Sequence, residues 1–193
     1  MNNETLKSIF YQFDHQAKYV SHSELKSGHI NDTFHIKTDT QKSFILQRIN
    51  DVVFKDVPGL INNKTLISKH LKSKYPNLQE EELNQKVLSF VRAKNSDLFY
   101  HQEEKAFWNL MIFIDESITY EIVENKEVAY EAGKLLGDFL NLASDFESNK
   151  LIDVIPNFHD MSFRFQQYED SLTKAPKERL LKATKLTNIV IDL

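Results

Sequence analysis

The hydrophobic pattern changes period part-way along the chain, and this change constrains the fold more than any other feature. Up to about residue 114, short alternating or apolar segments are separated by turn-forming residues, which is typical of β-strands. From Asn125 onward the apolar residues share one helical stripe, which comprises Val128, Ala132, Leu135, Leu136, Phe139, Leu140 and Ala143. The pattern therefore predicts an α+β fold with a strand-rich first part and a helix-rich second part.

The strand-rich part is predicted to begin with a short helix over residues 6–13 and an antiparallel meander of strands at residues 18–26, 33–38 and 43–49. A helix follows Pro58 and Gly59 and ends before Pro76. Further strands are expected at residues 85–92, 98–101 and 107–114, with a turn at residues 95–97. We thus predict one helix inserted into a mostly antiparallel sheet.

Three helices are predicted in the second part. Asn125 is a suitable N-cap for the first, Asp160 for the second, and Pro176 suits the first turn of the third. The predicted organisation is an N-lobe at residues 1–114, followed by a connector and a helical region at residues 115–193.

Charge and composition exclude several classes of function. The formal net charge of -4 and the isoelectric point near 6.0 provide no basic field for nucleic acid or anionic lipid. The absence of cysteine excludes disulfides and thiolate sites. We expect a soluble, cytoplasmic protein, because no apolar run has the length of a signal peptide or of a membrane span.

Four segments occur in an order that resembles a known enzyme family. They are SGHINDTF at residues 27–34, FILQRIN at 44–50, VFKD at 53–56, and IPNFHD at 155–160 followed by Arg164 and Phe165. Together they resemble the aminoglycoside phosphotransferase and choline kinase-like family, closest to its N-acetylhexosamine 1-kinase branch, over roughly residues 20 to 175. The resemblance implies a protein-kinase-like fold: an antiparallel, nucleotide-binding N-lobe and the first helices of a truncated helical C-lobe.

The same resemblance implies ATP and Mg²⁺ as cofactors and transfer of the γ-phosphoryl group to a hydroxyl of a small molecule, a sugar by analogy with that branch. It places a phosphate loop in the turn between the first two strands. Backbone N–H groups near Gly28 and His29 and the side chains of Asn31 and Thr33 would then bind the nucleotide phosphates. An ordinary hairpin loop is the alternative, because the segment is neither a Walker motif nor a full glycine-rich loop.

By the same resemblance Arg48 on the third strand is the basic residue that binds the α- and β-phosphates, as a guanidinium does readily. The alternative is a surface arginine. Protein kinases hold this residue with a glutamate on the next helix, yet residues 56–74 contain none and offer Asn62 or Asn63 instead. The partner of Arg48 is therefore open.

The apolar run before Asp115 stands where the family's hinge joins the lobes. The resemblance implies that backbone groups of Ile112 and Ile114 pair with the adenine edge, and the run is equally typical of a buried core strand. Two histidine pairs are weaker candidates: His29 with His35 for a metal, and His159 with Asp160 for proton transfer. For Asp160, helix capping is the competing interpretation.

Groups for the chemical step are missing from the sequence. No aspartate is followed five positions later by an asparagine, which is the spacing of the catalytic base and a metal ligand in this fold. Near the end, Asn188 resembles the metal ligand but Ala183 occupies the base position, so either the loop carries a deletion or the segment is simply a helix, which we favour. We predict a kinase fragment that binds nucleotide with little turnover; the alternatives are a non-catalytic binding module and an α+β interaction domain.

Overall fold

The computed structural model describes residues 1–26, 28–94, 96, 98–104 and 106–191. Within them the chain forms six α-helices and one six-stranded antiparallel sheet, so the predicted α+β class is confirmed. The chain divides into two compact units, residues 1–154 and residues 155–193. The sheet belongs to the first unit.

The sheet comprises β1 (Tyr19–Leu25), β2 (Asp32–Thr38), β3 (Phe44–Ile49), β4 (Phe90–Val91), β5 (His101–Glu103) and β6 (Ala106–Ile112). Its order is β1-β2-β3-β6-β4, with β5 also pairing with β6. The predicted meander of the first three strands is confirmed, because each pairs antiparallel with the next. Strand β6 then pairs with β3, which brings a segment from beyond residue 105 into the centre of the sheet.

The two faces of the sheet support different cores, since successive strand residues point to opposite sides. On one face Phe44 and Leu46 of β3 pack against the first helix, α1 (Asn3–Phe10), in a cluster that includes Phe10 and Trp108. On the other face Ile49 packs against α2 (Val57–Ser73). The position of a β3 side chain in this alternation therefore decides which helix it meets.

Helix α2 ends before Pro76 as the sequence predicts, but it begins at Val57, so Pro58 and Gly59 lie inside its first turn. The Asp56 carboxylate accepts a hydrogen bond of 2.9 Å from the Gly59 N–H, and Pro58 lies in the first turn, where its missing N–H is harmless.

Side chains of α2 also contact residues much later in the chain. Just after the C-terminal end of α2, Lys74 Nζ lies 2.5 Å from Oδ2 of Asp145. In the middle of α2, Asn63 makes two hydrogen bonds with the backbone of Ile152.

The prediction of a strand at residues 85–92 is wrong for most of that segment. Residues Glu80–Lys86 form helix α3, and only Phe90–Val91 pairs as β4. The Gln79 N–H donates to the Glu82 carboxylate at 3.1 Å, and three glutamates occupy the first turn, where negative charge is favourable. This start signal outweighs the alternating pattern. Asn95 and Asp97 of the predicted turn lie outside the described residues.

Helix α4 (Lys126–Ala143) confirms the predicted start, with the Asn125 side chain accepting from the Val128 N–H at 2.8 Å. Its apolar stripe lies at the surface: Leu135 is 73% exposed and Phe139 is 43% exposed. Among the described residues, no helix combines the length and hydrophobicity that crossing a membrane requires.

The second unit consists of α5 (Met161–Lys174) and α6 (Lys177–Ile191). Asp160 caps α5 by accepting from the Phe163 N–H at 2.9 Å, so the capping interpretation of Asp160 is confirmed. The helical interpretation of the segment after Pro176 is also confirmed, because residues 184 and 188 lie within α6.

Candidate functional site

The turn between β1 and β2 lies at the surface. Gly28 and His29 are exposed, and Asn31 is half-buried. The Asn31 side-chain oxygen accepts a hydrogen bond of 2.9 Å from the N–H of Asn50, just after β3, so the turn is tied to the end of that strand. Gly28 has no positive φ, and a Cβ added to it would meet nothing within 4 Å. Neither backbone conformation nor space requires glycine there.

Arg48 pairs with an acid across two strands. It faces Asp32 in the β2–β3 register, and Nη1 of Arg48 lies 3.3 Å from Oδ2 of Asp32. Strand alternation puts Arg48 on the same face as Leu46, which is the face covered by α1 and not the face covered by α2. Arg48 also lines a small surface pocket of about 210 Å³ together with Asp32 and Asp51. These two carboxylates outnumber the single guanidinium in that pocket.

A row of polar side chains crosses the sheet on the face that α2 covers. Thr33 of β2 is opposite Gln47 of β3, and Gln47 is opposite Asn109 of β6. Directly opposed residues project to the same side of a sheet with their Cβ atoms about 4.5–5.5 Å apart. The Gln47 amide donates to the Thr33 hydroxyl at 3.2 Å. We call Thr33, Gln47 and Asn109 the polar row.

Helix α2 places a cation beside the polar row. Nζ of Lys64 donates to the side-chain oxygen of Gln47 at 3.5 Å. Among the described residues no carboxylate forms an ion pair with Lys64, and burial lowers the pKa of its ammonium below the usual 10.5. Leu60 and Ile61 precede it by one helical turn and are buried. Lys64 therefore lies on the side of α2 that faces the sheet.

Asn109 is the most deeply buried member of the polar row. Its exposure is 0%, and neither its side-chain nitrogen nor its side-chain oxygen has a hydrogen-bond partner within the described protein. A buried polar group left without a partner costs about 1–3 kcal/mol. Such a group calls for an explanation, and a bound molecule that forms the missing hydrogen bonds is one.

The predicted hinge continues the strand that carries Asn109. The Ile112 N–H donates to the Ser89 carbonyl at 2.9 Å, so this group already has a partner in the sheet. The Ile114 carbonyl accepts from the Ser117 hydroxyl at 2.9 Å. Both residues are half-buried. The core-strand interpretation accounts for Ile112, while Ile114 lies just past the end of β6.

The structure does not join the histidine pairs into a site. His35 Nε2 lies 2.8 Å from the Ser43 hydroxyl, and its ring stacks against Phe113 with the centroids 4.2 Å apart. Burial lowers the pKa of His35, with a further lowering from Lys37. His29 lies in the exposed turn. Within the part of the chain that the structure describes, no group of three or more histidine, aspartate or glutamate side chains is gathered for a metal ion.

The face of the sheet next to the polar row is accessible on its β1 side. Leu25 and Ser23 of β1 are opposite Thr33 and His35 of β2, and both β1 side chains are exposed. Thr33, Gln47 and Lys64 are half-buried. The polar row therefore runs from an accessible edge at β1 and β2 to a fully buried end at Asn109.

Sequence reasoning missed Gln47, Lys64 and Asn109 as a group. Two signals were available: Lys64 interrupts the inward side of an amphipathic helix, and Asn109 interrupts the apolar run of β6. No protein-family model matches the chain. The resemblance is therefore carried by the four segments alone. Two members of the polar row, Thr33 and Gln47, lie within these segments, whereas Asn109 and the helix residue Lys64 lie outside them.

Proposed function

We propose that this chain is the nucleotide-binding part of an ATP-dependent small-molecule kinase of the aminoglycoside phosphotransferase and choline kinase-like type. Its fold in this proposal is protein-kinase-like. The acceptor is the hydroxyl of a small molecule, in the class of sugars such as N-acetylhexosamines. The chain by itself binds Mg-ATP and transfers little or no phosphate.

One arrangement carries the proposal: on a single face of the sheet, the polar row lies between the β1–β2 turn and the end of β6. From Asn109 to Ile112 the strand advances three residues, or about 10 Å at the usual rise of a strand. A nucleotide lying along this face would place its base near Ile114 and its phosphates near the polar row. The β1–β2 turn is tied to the opposite end of the same strands through Asn31 and Asn50.

The positions of the turn, the third strand and the next helix also agree with the kinase arrangement. In protein kinases a loop between the first strands covers the phosphates, and a contact between the third strand and the following helix helps to hold them. Here α2 follows β3 directly, and the contact joins Gln47 to Lys64. The residue types differ from the lysine and glutamate of protein kinases, and the resemblance puts that lysine's position at Arg48; the contact here again joins the third strand to the helix that follows it.

The expected lack of turnover rests on the sequence. No aspartate has the asparagine five positions later that would complete a base and a metal ligand. Without these groups the chain keeps positioning and charge neutralisation only, and these do not replace the proton acceptor. Mg²⁺ would enter this site with the nucleotide and neutralise its phosphates.

Thermal unfolding with and without Mg-ATP tests the proposal. A ligand at 100 times its dissociation constant adds about 2.7 kcal/mol to the free energy of unfolding, so a clear rise in Tm is expected. Mg²⁺ with adenosine is the control, because it lacks the phosphates. A phosphoryl-transfer assay with N-acetylhexosamines is expected to show no product above background. Absence of any Tm rise at millimolar Mg-ATP would contradict nucleotide binding, and robust sugar phosphorylation would contradict the lack of turnover.

A further inference from the structure

The ammonium of Lys64 has a neutral hydrogen-bond partner. It lies against the Gln47 amide oxygen at 3.5 Å, and no acidic side chain of the described residues pairs with it. A partly buried charge without a counter-ion is unfavourable in the free protein. A bound anionic ligand would supply the counter-ion that Lys64 lacks among the described residues.

Asn109 gives a second, independent indication of a ligand at the same place. Its side chain is fully buried, both of its polar atoms lack a partner among the residues that the structure describes, and it is opposite Gln47 in the strand register. Lys64 approaches from the helix and Asn109 from the sheet, and Gln47 contacts the first and neighbours the second. Lys64, whose partner is neutral, and Asn109, whose polar atoms have no partner within the described protein, are therefore both neighbours of Gln47.

Most of the groups at the polar row that remain available for hydrogen bonding are donors. Gln47 uses its oxygen for Lys64 and its nitrogen for Thr33, so the Thr33 hydroxyl hydrogen is left for another acceptor. Lys64 has further N–H groups, and the Asn109 amide offers two more. A cation with several neutral donors and no carboxylate matches a ligand that is negatively charged and rich in acceptor oxygens.

We infer that Lys64, together with Thr33 and Asn109, forms a phosphate-binding site beneath α2, and that this site, not Arg48, takes a phosphate group of the nucleotide. The choice of a nucleotide rests on the proposed function, whereas the preference for a phosphate group rests on the donors alone. Arg48 is less suited because it is paired with Asp32 and shares its pocket with Asp51.

Matched lysine variants of the full chain test the inference. Lys64→Met keeps the aliphatic stem and removes the charge, and Lys69→Met removes an exposed lysine from the same helix. Isothermal titration with Mg-ATP is expected to show a loss of affinity of about 10- to 100-fold for Lys64→Met, the effect of losing a hydrogen bond to a charged group. For Lys69→Met we expect a change within about threefold, because solvent screens an exposed charge.

A second measurement uses the wild-type protein, so that it does not depend on the folding of a variant. Acetic anhydride acetylates neutral amines, and mass spectrometry then reports the extent of modification at Lys64 and at Lys69. Inorganic phosphate and Mg-ATP, tested separately, are expected to protect Lys64 and to leave Lys69 reactive. If Lys64→Met does not fold by circular dichroism, this protection decides the question.

The outcomes separate the inference from the proposed function. If Mg-ATP binds equally to wild type and Lys64→Met, and neither compound protects Lys64, the phosphate site is wrong while nucleotide binding stands. If Mg-ATP does not bind but inorganic phosphate protects Lys64, the phosphate site stands and nucleotide binding is wrong. If the wild type shows neither binding nor protection, both are wrong.

Discussion

Asp32 and Arg48 face each other across β2 and β3, with Oδ2 of Asp32 3.3 Å from Nη1 of Arg48. Their side chains are 53% and 45% exposed, so the ion pair lies in solvent and contributes less than about 1 kcal/mol to stability. The residue that the sequence marks most clearly as a phosphate ligand is thus engaged with an acid. Among the described residues, no acid forms an ion pair with the Lys64 ammonium.

Arg48→Gln is predicted to leave the dissociation constant for Mg-ATP within about threefold of wild type, because the guanidinium is solvent-screened. The free energy of unfolding is expected to change by less than about 1 kcal/mol. Calorimetric titration and urea unfolding check the two expectations. Asp32→Asn is the control for loss of the ion pair itself. A tenfold or larger loss of affinity in Arg48→Gln alone would return the phosphate role to Arg48.

Asn109→Leu is predicted to stabilise the ligand-free protein by about 1–2 kcal/mol, because it removes two buried polar atoms without partners. The matched control is Asn84→Leu. Asn84 is also buried, but its side-chain oxygen accepts from both Ser89 and Lys72, and its removal should destabilise. Urea unfolding of both variants gives the comparison. A loss of stability in Asn109→Leu, as expected for Asn84→Leu, would show that Asn109 is satisfied in solution.

The stability of the ligand-free protein should rise with pH in the alkaline range because of Lys64. Burial lowers its pKa in the folded state below 10.5, so between these two values the unfolded chain binds more protons. The free-energy cost of burying the charged Lys64 ammonium is largest below its folded-state pKa and disappears as pH rises toward 10.5. Lys64→Met should therefore be more stable than wild type near neutral pH, with a difference that shrinks on going to pH 10. A constant difference, measured by urea unfolding at each pH, would argue against a penalised ammonium.

Acid should destabilise the first unit through two histidines. Burial lowers the pKa of His15, whose Nε2 lies 2.9 Å from the Phe10 carbonyl, and burial likewise lowers the pKa of His35. Above the unfolded-state pKa of 6.5 both histidines are neutral, and the free energy of unfolding is not reduced by them. It decreases as pH falls below 6.5 and through the lowered folded-state pKa values, because the unfolded chain then binds more protons. We expect the unfolding free energy to fall from pH 7 to pH 5. The double variant His15→Gln with His35→Gln should show a flatter profile, and an unchanged slope would refute the assignment.

Glycine replacements are predicted to act in opposite directions in two helices. A Cβ on Gly59 would collide with the Asp56 carboxylate that caps α2, so Gly59→Ala should cost about 1 kcal/mol or more. Gly133 and Gly137 lie within α4 with nothing within 4 Å of an added Cβ. Alanine at either position should stabilise by about 0.5–1 kcal/mol. Thermal unfolding of the three variants is the measurement, and a stabilising Gly59→Ala would disprove the capping argument.

Local signals in the sequence were sufficient for most elements. The caps at Asn125 and Asp160, the alternation of the first three strands and the 3.6-residue period after Asn125 each act over a few residues, so they predicted the elements correctly. The strand predicted at residues 85–92 failed at its start because the helix that follows Gln79 continues to Lys86, and only Phe90–Val91 pairs in the sheet. These successes and this failure involve contacts between residues close in the chain.

The polar row depends instead on which strand lies beside which. Gln47 meets Asn109 because β6 pairs with β3 across two inserted helices and two short strands. Lys64 meets Gln47 because α2 folds back over the same face. The sequence by itself determined most of the helices and the meander of the first three strands. Only the tertiary structure decided that Arg48 faces away from α2 and that Lys64 faces the sheet. The reason is physical: side-chain alternation is local, whereas strand register and helix packing join residues far apart in the chain.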